Sequence, residues 1–109
     1  MPYDAALEAR IDHLSLHWPG FVKKSMFGGK GYLLLGHMAF GIWHDKLIVR
    51  CGSGQYADCL EQPGARVFDI TGKAMDGWVM VAPEGFATAT TLLVWLERGR
   101  DFAAGLPPK

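Results

Sequence analysis

The metal-ligand candidates of this sequence are its histidines and cysteines, and such side chains can also act as a base or a nucleophile. They are His13, His17, His37, His44, Cys51 and Cys59. Zinc sites need about four ligands, commonly supplied by close pairs such as C-x₂-C. The two cysteines are eight positions apart. The two N-terminal histidines share a helical face but lack the glutamate of H-E-x-x-H. The sequence therefore predicts neither a metal site nor a cofactor.

Catalysis by a thiol or hydroxyl group would need a base beside it and a third group to orient that base. Cys51 could meet His44 across a turn between two strands, but no orienting group is evident. Ser53 lies in Gly52-Ser53-Gly54, which is not the G-x-S-x-G element of hydrolases. We therefore expect no catalytic residues. A thiol enzyme centred on Cys51 and His44 stays as an alternative that requires an exposed, electropositive sulfur.

A glycine-rich turn offers a second kind of site. Backbone N–H groups around Gly28, Gly29 and Gly31, together with Lys30, could cradle an anion. The spacing is not that of a Walker loop, and a strand rather than a helix follows. The favoured interpretation is a turn between two strands that needs glycine backbone angles. A small-molecule or nucleotide site at this turn is the alternative function.

The charge is balanced overall and uneven along the chain. The 11 basic and 11 acidic residues cancel. Residues 21–50 contain only one acid, Asp45, whereas the charged residues of the segment 51–86 are mainly acids. The cations of the first segment are Lys23, Lys24, Lys30, Lys46 and Arg50. They predict a surface that attracts an acidic or phosphorylated protein partner. Zero net charge and the lack of an RNP or helix-turn-helix signature argue against direct nucleic-acid binding.

Apolar periodicity and turn residues predict the elements that must position these side chains. The predicted elements are a helix over 4–16, strands over 21–27, 31–35, 38–43 and 47–50, a helix over 53–61, strands over 66–70 and 78–81, and a helix over 88–106. Along the third strand, alternation places Met38, Phe40 and Ile42 on one face and Ala39, Gly41 and Trp43 on the other. Short connections favour antiparallel pairing. The predicted fold is a two-layer α+β domain, with a mostly antiparallel sheet and helices on one face.

Length and composition predict a single domain over residues 1–109. Half of the residues are hydrophobic, which suits a packed core. No signal peptide is recognisable, and no apolar run approaches the ~20 residues that span a bilayer. We therefore expect a cytoplasmic protein with no membrane association and with reduced thiols. An uncovered sheet edge could pair with itself, which predicts a homodimer.

Several short motifs, taken together in their order along the chain, resemble the pattern of one known family. They are Lys24-Ser25-Met26-Phe27-Gly28-Gly29, Phe40-Gly41, Pro63-Gly64-Ala65-Arg66, Met75-Asp76-Gly77-Trp78, Pro83-Glu84-Gly85 and the closing Leu106-Pro107-Pro108-Lys109. The sequence resembles the N-terminal domain of the TfoX/Sxy competence regulators over essentially its whole length. The resemblance implies an interaction module linked to transcription, since the best-known members work with the cyclic-AMP receptor protein. It implies no catalytic residues, and we expect a stand-alone N-terminal domain because the sequence ends after this domain.

Overall fold

A computed structural model describes residues 3–26, 28–69 and 72–107. Its helices and strands, in chain order, are α1 (Ala5–Leu14), β1 (Phe21–Met26), β2 (Gly29–Leu34), β3 (His37–Trp43), β4 (Lys46–Arg50), α2 (Tyr56–Leu60), β5 (Ala65–Val67), β6 (Trp78–Val81) and α3 (Ala89–Ala104). Short 3₁₀ turns lie at Ser53–Gln55 and Pro83–Phe86. The order of helices and strands is the predicted one.

The strands form one antiparallel sheet in the order β1-β2-β3-β4-β6-β5. Helix α3 packs across β3 and β4, α1 lies against α3, and α2 contacts β5 and β6. Side chains of all three helices join the same buried cluster, so the helices cover one face, which we call the inner face. This arrangement confirms the predicted two-layer α+β fold.

Capping fixes the ends of the two longer helices. The Asp4 carboxylate accepts hydrogen bonds from the N–H groups of Ala6 and Leu7 at the start of α1. At the start of α3, Thr88 and Thr91 cap each other reciprocally. Such caps satisfy backbone donors that have no partner within the helix. None of the described helices has the length and apolar character needed to cross a membrane.

The core of the inner face is built around aromatic side chains. Phe40 on β3 is completely buried. Its ring lies 5.1 Å from the ring of Tyr32, 5.4 Å from that of Phe21 and 6.4 Å from that of Trp18, measured between centroids. These separations are those of favourable aromatic pairs. The aromatic cluster thus joins β1, β2 and β3 to the segment that follows α1.

Strand β2 begins two residues earlier than predicted, at a glycine. The register pairs Met26 with Gly29 and Lys24 with Gly31, so β2 begins at Gly29 and not at residue 31. A Cβ atom on Gly29 would overlap the carbonyl oxygen of Ile42. Glycine is therefore needed here for the close approach of β3, whereas the sequence suggested that it marked a turn.

Two further boundaries differ from the prediction. The turn before β3 consists of Leu35 and Gly36, both with positive φ, and His37 already pairs with Leu34. Positive φ at both central residues is the type I′ geometry that suits hairpins. Strand β5 ends at Val67. Residues 70 and 71, which the prediction gave to the end of this strand and to the next turn, lie outside the described residues.

Candidate functional site on the outer face of the sheet

Basic side chains are concentrated in the strands. The six strands contain six cations and no acid. These cations are Lys23 and Lys24 on β1, Lys30 on β2, Lys46 and Arg50 on β4, and Arg66 on β5. The helices carry acids such as Glu8, Asp12 and Asp58. Because successive strand residues point to opposite faces, the cations are divided between the inner face and the outer face, which lies away from the helices.

Lys23 is neutralised within the inner layer. Its Nζ lies 2.7 Å from a carboxylate oxygen of Glu8 and 2.9 Å from one of Asp12, both on α1. Desolvation would lower the pKa of Lys23, but hydrogen bonds with these carboxylates outweigh it and raise that pKa. Tyr32 donates a hydrogen bond of 2.7 Å to Asp12, and burial followed by this bond raises the pKa of Tyr32. Lys23 therefore ties β1 to α1.

This ion pair predicts a pH dependence of stability. The hydrogen bond from Lys23 lowers the pKa of Glu8 from its ordinary value of 4.5. A carboxylate with a depressed pKa stabilises the fold above its unfolded pKa, and this contribution is lost as the pH falls through the folded pKa. We expect Glu8→Gln to lose about 0.5–1 kcal/mol of unfolding free energy near neutral pH, because the pair is partly exposed. The difference from wild type should shrink as the pH falls from neutrality through the folded pKa of Glu8 toward pH 3.

Urea unfolding at the two pH values measures this effect. Glu97→Gln is the matched control, since the Glu97 carboxylate lies 3.9 Å from Arg100 and is more exposed than that of Glu8. It should change the unfolding free energy little at either pH. A Glu8→Gln effect that is the same at both pH values would contradict an electrostatic origin.

Lys30 also belongs to the inner side of the hairpin. It donates a hydrogen bond of 2.8 Å to Ser25 and lies over the ring of Tyr3 at 5.6 Å from the centroid. Of the five cations predicted to form one surface, Lys23 and Lys30 are therefore separated from the other three by the thickness of the sheet. Whether any of the five contacts a partner stays a prediction.

The remaining cations of the predicted set lie on the outer side. Lys46 pairs with the neighbouring Asp45. The Arg50 guanidinium lies 5.3 Å from the ring centroid of Trp78 and 5.2 Å from that of Phe102, at the end of β4. Lys24 is exposed and forms no ion pair with any residue that the structure describes. Lys24 on β1 and Arg66 on β5, which is also exposed and has no ion pair with a described residue, are thus the outer-face cations free to meet an external charge.

Apolar side chains surround Lys24. Val22 is 56% exposed, and Met26, Leu33, Met38 and Trp43 are half-buried. With Lys24 they form a surface over β1, β2 and β3 that we call the open half-face. Its members are Val22, Lys24, Met26, Leu33, Met38 and Trp43. Met26 folds over Gly31, and Met38 folds over Gly41, where a Cβ atom would strike their side chains.

The other half of the outer face is covered by the chain itself. Phe68, in the segment between β5 and β6, is only 3% exposed and packs with Ile48 and Met80. Met75 from the same segment packs against this cluster. The Met75 N–H donates to the Phe68 carbonyl at 3.2 Å, which closes the segment on itself. The open half-face begins where this cover ends.

Of the glycines predicted to form an anion-binding turn, one lies in a turn and the other two lie in β2. Gly28 is exposed, with φ of 75°, between the paired ends of β1 and β2. Gly29 is buried inside β2, and so is Gly31. Strand backbone groups are used by the ladder, so only Gly28 retains turn geometry. Ligand binding at this turn stays a prediction.

The structure does not bring Cys51 and His44 together. His44 precedes β4 and Cys51 follows it, so the length of the strand separates them. The Cys51 thiol is 2% exposed and donates to the Gly77 carbonyl at 3.4 Å. Burial, followed by the neighbouring Cys59 thiol, raises the pKa of Cys51 to about 12. The alternative of a thiol enzyme built on this pair is therefore wrong. No group of three His, Cys, Asp or Glu side chains suited to a metal was found among the described residues.

Sequence reasoning missed the partners supplied by the helices. Glu8 and Asp12 occupy one side of α1 at i, i+4 spacing, which could have indicated a shared cation. Arg98 on α3 contacts Asp58 and Cys59 of α2, each at 3.2 Å. No local pattern connects residues that are about forty positions apart, so this contact required the tertiary structure.

Comparison with known proteins gives one family. The model of the TfoX N-terminal domain matches residues 13–103. The match includes every strand and extends into the last turn of α3. No curated protein and no solved structure shows significant similarity to the chain.

Proposed function

Since the chain belongs to the TfoX N-terminal domain family, we propose that it is a non-catalytic interaction module whose open half-face binds an acidic segment of a protein partner. The observation that carries the proposal is the composition of that surface. It presents the exposed Val22 and four half-buried apolar side chains around Lys24, on a sheet whose strands contain no acid. Apolar contacts would supply affinity, and the basic strands would select partners by charge.

The shape of the surface favours an extended or amphipathic segment. Gly31 and Gly41 occupy paired positions on β2 and β3, so neither residue places a side chain at this point of the outer face. The flexible thioethers of Met26 and Met38 lie there instead. Methionine adapts to differently shaped apolar groups and is common at binding surfaces. Leucine or phenylalanine side chains of a partner could therefore displace these thioethers and contact the sheet.

Charge argues for a protein rather than a nucleic acid. Nucleic-acid affinity comes largely from several cations that neutralise phosphates. On the outer face, Lys46 already has a carboxylate partner and Arg50 is held against aromatic rings. The two outer-face cations without such a contact among the described residues, Lys24 on β1 and Arg66 on β5, lie on opposite edge strands of the sheet. A peptide that places one or two carboxylates near Lys24 requires fewer free cations for binding than a nucleic acid does. The resemblance to competence regulators supports a partner in transcription, such as a transcription factor.

Charge reversal at Lys24 tests the proposal. The probes are a synthetic peptide that alternates glutamate with leucine and phenylalanine, the same peptide with lysine for glutamate, and an oligothymidylate. We expect Lys24→Glu to weaken binding of the acidic peptide about tenfold, which corresponds to about 1.4 kcal/mol. Fluorescence anisotropy measures the affinity, and NMR shift changes at Val22, Met38 and Trp43 locate the peptide.

Lys30→Glu is the matched control. It makes the same charge change on the same hairpin, but its side chain lies on the inner side. It should retain most of the affinity for the acidic peptide, with thermal unfolding confirming that both variants are folded. Equal losses in the two variants would show attraction to overall charge and overturn the site. Tighter binding of oligothymidylate than of the acidic peptide would overturn the choice of a protein partner.

A further inference from the structure

One edge of the sheet presents backbone groups to an external chain. Strand β1 ends the strand order, so its only strand neighbour among the described residues is β2. Residues 22–25 of β1 are all exposed, whereas most residues of β2 are buried. Alternate residues of an edge strand direct their N–H and C=O groups away from the neighbouring strand. We call the row of such groups along Phe21–Met26 the β1 edge.

The opposite edge of the sheet is shorter and partly covered. Strand β5 has three residues, of which only Arg66 is exposed, and α2 packs beside it. The N–H group of Ala65 donates to the Gln62 carbonyl at 3.1 Å. A very short edge strand offers few free groups, which is one way in which sheets avoid pairing with other chains. The β1 edge is therefore where an added strand would form the longer ladder.

The lysines of β1 disfavour pairing with a second copy of this chain. Directly opposite residues of an antiparallel pair lie on the same face of the sheet. In the two twofold registers that overlap β1 most fully, either Lys23 or Lys24 would lie opposite its own counterpart. Like charges in this position destabilise a sheet, and lysines on edge strands are a common protection against self-association. The charges of β1 therefore oppose the homodimer predicted for an uncovered edge and favour an acidic strand.

The two faces of β1 differ in the charge that they can accept. On the outer face, Lys24 lies between Val22 and Met26 and forms no ion pair with any described residue. On the inner face, two carboxylates of α1 already hold Lys23, so a further carboxylate there would be repelled. Opposite side chains on neighbouring strands are close enough to interact directly. An added strand would therefore place its acid opposite Lys24, apolar side chains opposite Val22 and Met26, and uncharged residues between them.

We propose that the acidic partner segment adds to the sheet as a seventh strand along the β1 edge, with the pattern apolar-x-acid-x-apolar. This binding mode rests on the proposed function and specifies how the segment enters the open half-face. Backbone hydrogen bonds to β1 supply affinity, and the alternate side chains select the segment. Antiparallel pairing is the favoured orientation because its ladder is slightly more stable per residue, and it continues the pairing of the other strands.

Alternate N-methylation of a peptide tests for the added strand. The probe is a fluorescently labelled peptide with the core Leu-Thr-Glu-Thr-Leu and serine-rich ends, and its affinity is measured by anisotropy. One form carries N-methyl groups at both threonines, and the matched form carries them at the glutamate and the second leucine. In a strand, only one of these two sets faces β1. We expect that form to bind about tenfold more weakly or worse, because backbone hydrogen bonds are lost and their partners are left unpaired, while the other form retains most of the affinity.

Amide hydrogen exchange locates the pairing on the protein. Binding of the unmethylated peptide should slow exchange at alternate amides within residues 21–26 about tenfold or more, because new backbone hydrogen bonds protect them. The variants Lys24→Glu and Lys30→Glu are measured with the same peptide. Only Lys24→Glu should weaken its binding, because the Lys30 side chain lies on the inner side.

The outcomes separate strand addition from the proposed function. Equal losses for the two methylated forms, with Lys24→Glu still weakening the unmethylated peptide, would overturn strand addition and leave the proposed function intact. If the core peptide does not bind while the peptide that alternates glutamate with leucine and phenylalanine does, the strand pattern is wrong. If neither peptide binds, the proposed function fails as well. Protection of residues 21–26 that rises with protein concentration, without any peptide, would show pairing with a second copy and would also overturn the inference.

Discussion

Replacing Phe40 with alanine should lower the free energy of unfolding by about 3–5 kcal/mol, the usual cost of truncating a buried aromatic side chain. Phe40 has no exposed surface. Its ring contacts the rings of Trp18, Phe21 and Tyr32, so alanine would leave a cavity at the point where three strands and the segment after α1 meet. The surrounding rings cannot all move into that space, because each is held by its own element.

Urea unfolding measures this loss, and Val22→Ala provides the control. Val22 is also an apolar strand residue, but it is 56% exposed on the outer face. Its truncation should change the unfolding free energy by about 0.5 kcal/mol or less. If the two variants were equally destabilised, Phe40 would not be the centre of the core. Val22→Ala should nevertheless weaken binding of the acidic peptide, since Val22 belongs to the open half-face.

The positions of the helices and strands could be predicted because their signals are local. Strand β6 has the predicted bounds at Trp78 and Val81. Helix α1 begins after the predicted cap, Asp4, and α3 begins after Thr88. A capping side chain acts within three residues of itself, and apolar periodicity acts within one turn or strand. Neither depends on the rest of the fold.

The orientation of side chains on β3 could not be predicted by simple alternation. The register changes between Tyr32 and Leu33, so that Leu33 pairs with Met38 and Tyr32 pairs with Phe40. Ala39 is the extra residue of a β-bulge. Ala39 and Phe40 both join the inner core, while Met38 packs on the outer side against the cluster that contains Ile48. The prediction that Met38 and Phe40 lie on the same face is therefore wrong. No residue type in the strand predicts the bulge.

The candidate site shows the same division between local and tertiary information. Basic residues around β1 and β2 are visible in the sequence, and alternation alone places Lys23 and Lys24 on opposite faces. That Lys23 is neutralised depends on Glu8 and Asp12 of α1. That Lys24 has apolar neighbours depends on Leu33 of β2 and Met38 of β3. The sequence therefore predicts the charge of the surface but not which cations remain available to a partner.

The bulge in β3 leads to the second large effect, which we expect for Gly99→Ala. Gly99 is buried in the middle of α3. A Cβ atom at this position would overlap the carbonyl oxygen of Ala39 and would lie 2.9 Å from its carbonyl carbon and 3.3 Å from Phe40 Cδ2. The overlapping atoms belong to the backbone and cannot rotate away. The substitution should lower the free energy of unfolding by about 1–3 kcal/mol, although alanine alone favours a helix over glycine by about 1 kcal/mol.

Gly54→Ala is the matched control for this helix-to-sheet contact. Gly54 lies in the turn before α2, has no heavy atom within 4 Å of its Cβ position and does not have positive φ. Its replacement should change stability by less than about 1 kcal/mol. Thermal and urea unfolding compare the two variants. If the Gly99→Ala protein were as stable as the Gly54→Ala protein, α3 would not approach Ala39 closely. The β-bulge would then lack the contact that keeps Phe40 on the inner face and Met38 on the outer face. Because Met38 belongs to the open half-face, the same variant should also alter peptide binding when it distorts β3.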